Sequence, residues 1–485
     1  MPKSVRVLLI VGVAAAVPLA VWLYDAARRD TRPPVPAAIA PVAAAPTRPR
    51  PASVGISSCA AGACHGGASA GSNTPTAWQS SFTQWTTADP HRLAYAALKT
   101  DLATRIMTSL KEPDTDATHA ARCLACHTNP ASANDPARRA EGMNCDSCHG
   151  NPDRWMSPHT AFADKNRTQA YDAVGMPKLF DLGTRAELCA GCHVGAPADP
   201  ARGLPLRDMN HDMIAAGHPR LNFDFAEYQR RMNPHWFEKD RTAPDPHTPA
   251  GPAFEAKAWL VGRVASAEAA CALLADRATR ADPWPEFAEM NCFACHHEFE
   301  PASWRLPAAQ RTPPRKPGMA AWQTLWPVTR PDDFTKLGSD ANHDVVELIA
   351  RMERSRSPNP ALAATAAAGS AKKLRAVRDS LSRSSEMDAA RVARGVFLSM
   401  PPERADWVDW DEARQMFHGL AALDRTRREG QPDPILAKFA DHLRLPRPPG
   451  GAWFDSPRGY TPASGRDLLR ECLKSVPVRA DVIGK

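Results

Sequence analysis

Tyrosine is nearly missing from this chain, with 5 in 485 residues, and all aromatics together make up 7%. Proline is abundant by contrast, at 47. Few β-favouring aromatics and frequent proline exclude long sheet-built domains and require many loops. No run of Lys or Arg interleaved with aromatics occurs, so the net charge of +7 carries no nucleic-acid signature. Wholesale disorder is excluded too, because hydrophobic residues reach 43% and charged residues only 23%. At about 100–200 residues per domain, the length allows two to four folding units.

The N-terminus carries Lys3 and Arg6 ahead of an apolar run from Val7 to Tyr24. The run is longer than a usual signal-peptide core and near the lower limit for a membrane span. It reads as an uncleaved anchor or a cleaved signal, and either exports the rest of the chain. The expected place is the periplasmic side, tethered to the inner membrane or soluble in the periplasm after cleavage. Residues 25–53 are an Ala/Pro linker with scattered Arg, a composition that favours extended chain over a core.

Charge is unevenly spread. Residues 1–58 have a net charge of +5, residues 59–300 of −6 and residues 301–485 of +8. An acidic middle and a basic tail are therefore expected to meet each other or different partners. A long helix is expected at roughly 253–280, where Leu260, Val261, Val264, Ala267, Cys271, Leu274, Ala275 and Ala278 recur at steps of three and four. Residues 301–340 read as a Pro-rich connection. Residues 341–485 read as a helical C-terminal domain, with one stripe of Val345, Leu348, Ile349 and Met352 and another of Trp410, Ala413, Phe417 and Leu420.

Chemistry concentrates in residues 54–300. Four Cys-x-x-Cys-His motifs occur: Cys123, Cys126 and His127; Cys145, Cys148 and His149; Cys189, Cys192 and His193; Cys292, Cys295 and His296. A fifth, CAAGACH, has a longer gap between Cys59 and Cys64 before His65. Cys-x-x-Cys-His is the attachment signature of c-type haem: two thiols bond the porphyrin vinyl groups and the adjacent His reaches the iron. Structural zinc would pair two Cys-x-x-Cys units without requiring His after each, and a redox dithiol would not recur. Ten thiols thus imply five covalently attached c-type haems, with the four-residue gap of the first motif bulging outward. Five haems within residues 59–297 leave little protein to wrap each one, so neighbouring haems are expected to lie close.

What fills the sixth position on each iron separates an electron carrier from a catalyst. The distal candidates are His91, His159, His211, His218 and His235. His211 and His218 share the stretch NHDMIAAGHPRLNF and, seven apart, would lie on one helical face. His297 could serve only a neighbouring iron. His119 and His247 read as surface residues, and Met209, Met213 and Met232 as packing residues.

The stretch CLACHTNPASANDPARRAEGMNCDSCHG, two motifs ending in Cys-His-Gly, resembles the multihaem c-type cytochromes related to hydroxylamine oxidoreductase, its tetrahaem electron acceptor and the pentahaem nitrite reductases. The stretches NHDMIAAGHPRLNF and CFACHHEF are similar to large exported multihaem cytochromes. The resemblance covers about residues 59–300 and implies haems stacked in parallel and perpendicular pairs, mostly with two His ligands. Most pentahaem nitrite reductases hold the catalytic haem through Cys-x-x-Cys-Lys, which is absent here, and their open site needs Tyr, which is scarce.

The expected fold is therefore mostly α: a multihaem cytochrome c domain with long loops and little strand, then a helical C-terminal domain. The expected function is electron transfer, with no catalytic residues assigned. Its partners would be a redox donor and acceptor and the inner membrane, with homo- or hetero-oligomerisation left open. Two alternatives remain at this stage. One is a reductase or oxidase of a small nitrogen or sulfur oxyanion at a five-coordinate haem. The other is a docking subunit whose helical tail recruits a partner. Cys271 and Cys472 stand outside the motifs, as buried small residues or a disulfide.

Overall fold

The computed structural model describes residues 55–68, 73–111, 116–153, 155–160, 174–245, 247–292, 295–296, 322, 341–355, 357–398, 409–426, 433–443 and 460–475. The hydrophobic N-terminal run, the linker, His297 and the Pro-rich connection apart from Trp322 lie outside these residues. Among them no strand occurs; four isolated bridges, such as Ala196 with Arg207, are the only pairing of that kind. The mostly α expectation with little strand is borne out.

In the haem region the helices are short: α1 (Ser81–Ala88), α2 (Asp101–Leu110), α3 (Ala121–His127), α4 (Cys145–His149), α5 (Leu182–His193), α6 (His211–Ala215) and α7 (Phe225–Arg231). Local chemistry starts several of them. Thr100, Asp181, Asn210 and Asp224 each accept a backbone N–H in the first turn of the helix that follows. Then comes α8 (Phe254–Arg280), 27 residues and about 40 Å long. It ends where Ala281 takes a left-handed conformation and two prolines follow within four residues.

The tail contributes α9 (Ala341–Glu353), α10 (Pro360–Arg383), α11 (Glu386–Leu398), α12 (Trp410–Arg425), α13 (Pro434–His442) and α14 (Pro462–Ser475). Asn359, Asp409 and Asp433 cap α10, α12 and α13, and proline at the first position of α10 and α13 presets the helical φ.

Helix α8 is the axis of the molecule's main core. It packs against α5 and α7 from the haem region and against α10, α11 and α12 from the tail. One continuous cluster runs from Leu182 through Leu260 and Val264 to Leu374, Leu420 and Leu469. Two glycines permit the closest approaches. A Cβ on Gly262 would stand 2.3 Å from the Phe225 Cβ, and one on Gly419 would stand 2.5 Å from the Trp259 ring. The sequence marks one apolar stripe on α8, whereas the folded helix is buried on most sides, including Lys257, Arg263, Glu268 and Arg277. It is long and apolar enough to cross a membrane, but most of that length lies inside the protein.

The acidic middle and basic tail do meet. Arg378 of α10, 4% exposed, pairs with Glu268 at 2.7 Å and Glu187 at 2.9 Å. Arg425 pairs with Glu255. Ser382 donates to Asp181 at 2.7 Å and accepts from the Gly183 N–H at 3.0 Å, fixing the start of α5. Cys271 and Cys472 are both buried free thiols in this core, so the disulfide alternative is not realised.

Candidate functional site

Three motifs lie on helix: Cys123, Cys126 and His127 close α3, Cys145, Cys148 and His149 make up α4, and Cys189, Cys192 and His193 close α5. Positions i, i+3 and i+4 of a helix share one face, so both thiols and the imidazole project together. At Cys292 the same arrangement is a tight turn, with the Cys295 and His296 N–H groups both donating to the Cys292 carbonyl at 3.2 and 2.7 Å. In the first motif Cys59 ends a 3₁₀ turn, and the Cys64 and Gly66 N–H groups donate to the Ala61 carbonyl. The extra residues form the expected bulge.

Each motif histidine faces one of the five distal candidates. Ring centres stand 5.8 Å apart for His65 and His159, 6.1 Å for His91 and His193, and 6.3 Å for His127 with His218, His149 with His235 and His211 with His296. Two metal–nitrogen bonds of about 2.0 Å, extended to the ring centres, span about 6 Å. A direct N–H···N hydrogen bond would draw the centres to about 5 Å. The spacing suits two imidazoles on opposite sides of one metal ion. Among the described residues no group of three or more His, Cys, Asp or Glu could hold a bare metal ion. A porphyrin, which brings four nitrogens of its own, needs only the two.

Burial keeps five of these imidazoles in the neutral, ligating form. Desolvation depresses His149 to about 3 and His193 and His235 to about 4, and lowers His127 and His218. Four of the Nδ1 atoms are turned to neighbours, which frees Nε2 for a metal. His65 contacts the Trp78 carbonyl at 2.8 Å, His127 the Ala94 carbonyl at 2.7 Å and His218 the Pro219 carbonyl at 2.8 Å. His91 differs: its Nδ1 lies 2.8 Å from a carboxylate oxygen of Asp89. That hydrogen bond raises the His91 pKa. Burial pushes the Asp89 carboxyl up, but the hydrogen bonds and charge of His91 outweigh it and hold it below the usual range.

The motifs also touch one another. The Cys59 and Cys145 thiols are hydrogen-bonded, joining the first and third motifs. Cys148 of the third senses Cys189 and Cys192 of the fourth. Cys192 is hydrogen-bonded to Cys126 of the second, which together with the Arg207 guanidinium holds it near 6 against the effect of burial. Arg220, two residues beyond His218, reaches the Cys292 sulfur of the fifth motif at 3.4 Å. In space the motifs therefore run first, third, fourth, second, fifth.

The surroundings fit haem. Arg207 is 8% exposed, lies beside Cys192 and Gly191, and its Nε has no acceptor among the described residues. A buried cation of this kind calls for an anion, and a porphyrin carries two carboxylates. The buried His149 Nδ1 likewise lacks a protein partner. His119 and His247 sit on exposed turns, and the sequence reading of both as surface residues matches their positions. Asp89, Arg207 and Arg220 were not singled out from sequence. Only the Asp-Pro-His order at residues 89–91, a capping pattern, hints at the first.

Residues 59–150 match the family described as cytochrome c554 and c-prime. No curated protein and no solved structure matches the chain. The family match supports a multihaem c-type cytochrome with covalently bound haem and a part in electron transfer.

Proposed function

We propose that this chain is an exported pentahaem cytochrome that carries electrons between a redox donor and an acceptor, every iron being held by two histidines. The observation that carries this reading is the pairing of all five motif histidines with a second histidine at 5.8–6.3 Å. Attachment falls to Cys59, Cys64, Cys123, Cys126, Cys145, Cys148, Cys189, Cys192, Cys292 and Cys295. The axial pairs are His65 with His159, His127 with His218, His149 with His235, His193 with His91, and His296 with His211. When bound, haem supplies a one-electron ferric–ferrous couple.

The protein's part is to hold these pairs fixed. The ligands sit on short helices, turns and the loops that join them, packed against one another, so little rearrangement accompanies a change of oxidation state. The closeness of the motif cysteines, with Arg220 reaching Cys292, brings successive ligand sets side by side, a continuous array from the first motif to the fifth. Carriage rather than catalysis is favoured because an oxyanion reductase would need one iron with only a single protein ligand. The run Val7–Tyr24 supports a periplasmic location, tethered to the inner membrane if it is an anchor and soluble if it is a cleaved signal.

Two measurements on protein matured in an export-competent host test the reading. Intact mass should equal the polypeptide plus five haems, and the ferric spectrum should be wholly low-spin, unchanged by nitrite and without carbon monoxide binding after reduction. Four haems with Cys59 and Cys64 free would remove the first site. A high-spin centre that binds small ligands would replace the carrier with an enzyme.

A further inference from the structure

We propose that Arg185, on the helix of the fourth motif, is a positioning residue that holds His235 on the iron of the third. The inference rests on the reading of His235 as an axial ligand. His235 follows α7 in a stretch, residues 232–238, without helix or strand. Its place therefore depends on the side chains that grip the chain around it. Arg185 supplies that grip. It is 6% exposed, and its guanidinium makes a two-pronged pair with Glu238, to one oxygen through Nη1 and to the other through Nη2 at 3.2 Å. Nη1 also donates to the side-chain oxygen of Gln229, on α7, at 2.9 Å.

The same guanidinium lies over the Trp236 ring, 5.1 Å from its centre, and the Trp236 indole N–H donates to Glu238. Trp236 in turn stands edge-on to the His235 imidazole, with ring centres 5.2 Å apart and planes at 85°. Arg185, Glu238 and Trp236 thus close a ring of three contacts, and the third member bears on the ligand. A guanidinium suits this place, because its planar fork matches a carboxylate and its flat face stacks on an indole. Asn73, in a left-handed conformation, clips the backbone on either side of His235. Its N–H donates to the Pro234 carbonyl at 3.4 Å, and its Oδ1 accepts from the Glu238 N–H at 2.9 Å. That clip fixes the chain, and the Trp236 ring limits how the imidazole turns.

The position of Arg185 gives the clamp a second effect. Cys189 comes four residues later on α5, on the same face and about 6 Å further along the helix. One side chain therefore ties the distal ligand of the third iron to the helix that attaches the fourth haem. Neighbours that orient a ligating imidazole keep it on its metal. In a carrier, that keeps the iron six-coordinate in both oxidation states.

The test uses holoprotein carrying Arg185→Ala, Arg185→Lys or His235→Ala. Carbon monoxide is the probe after reduction, and ferric electron paramagnetic resonance is the second readout. H235A should open one haem in five. R185A should keep five haems yet bind carbon monoxide at one of them, more weakly than H235A does, because the imidazole still competes for the iron. R185A combined with H235A should open no further haem, whereas R185A combined with His91→Ala should open two. R185K keeps the charge beside Glu238 but loses the fork and the stack. It should stay low-spin and alter the resonance signal of one centre only. If R185A lowers the melting temperature but binds no carbon monoxide and keeps all five ferric signals, Arg185 is merely structural and the inference is overturned. A further open haem in the double variant with H235A overturns it as well. If R185A fails to take up five haems, R185K decides, and five unchanged signals there overturn the inference. If H235A remains wholly low-spin, the ligand assignment itself has failed.

Discussion

Arg220 and Asp411 lie 191 positions apart in the chain and form a two-pronged ion pair, with N···O distances of 2.7 and 2.5 Å. Both are largely shielded, at 12% and 3% side-chain exposure, and the same guanidinium reaches the Cys292 sulfur. Next to it, Asn291 donates to Asp409, the cap of α12, at 2.8 Å. Gln415 of α12 donates to the carbonyl of Phe223, whose ring stacks on His193. The C-terminal helices thus brace the fourth and fifth motifs, a part that no feature of their own sequence announces.

Replacing Asp411 by Asn should therefore do more than trim the tail. It leaves the Arg220 guanidinium in a shielded site without its carboxylate, a loss of about 3 kcal/mol. Holoprotein denaturation should show that drop, and the fifth centre should be the first to change its spectrum as denaturant rises. An unchanged midpoint would mean the pair is solvated.

Histidines 211 and 218 offer the sharpest check on ligation. They face His296 and His127, so each is expected to serve its own iron. His211→Ala or His218→Ala should create one high-spin centre that binds carbon monoxide, with the other four unaffected. If both single variants stay low-spin, the distal assignment is wrong.

The ring planes of the pairs differ, and the difference is readable by electron paramagnetic resonance. Parallel imidazoles split the two iron d orbitals of π symmetry, whereas perpendicular ones leave them nearly equal in energy. His65 and His159 are 8° apart and His211 and His296 29°, so these centres should give rhombic low-spin signals. His127 with His218 at 81° and His91 with His193 at 71° should give strongly anisotropic ones. Five identical rhombic signals would contradict the geometry.

Glu386, at the start of α11, supplies a pH dependence. Burial raises its carboxyl from 4.5 to about 7, with the Gly251 N–H at 2.9 Å opposing. The folded state therefore holds this proton more tightly than the unfolded chain does. The associated stability is present in full below about 4.5 and is lost as pH rises through 7. Glu386→Gln, which keeps an acceptor for Gly251, should be more stable than wild type by about 1 kcal/mol at pH 8, solvent screening included, and no more stable at pH 5. Thermal melts at the two pH values would show it, and an equal difference at both would refute it.

Much of this protein is written locally. Cys-x-x-Cys-His puts two thiols and an imidazole on one helical face whatever surrounds it, so the attachment residues are legible wherever the motif occurs. Helix α8 is legible for the same reason: its apolar steps of three and four need only the helical period, and its observed bounds of 254 and 280 fall within a residue of the expected ones. Its burial on most sides was not legible. Lys257, Glu268 and Arg277 interrupt the apolar pattern in sequence, but inside the fold the Ser384 carbonyl accepts from Lys257, Arg378 pairs with Glu268, and Asp208 and Glu289 pair with Arg277.

The second histidine on each iron belongs to the same class. The five partners could be nominated from sequence as a set, but nothing near His65 names His159, and nothing near His193 names the earlier His91. Each pair is more than eighty positions apart in the chain. Local spacing reports only what one helix or turn presents. Which two surfaces come together, and hence which imidazole meets which motif and whether a carboxylate stands behind it, is settled when α5, α7 and the tail close around α8, because only that packing brings these side chains within reach of one another.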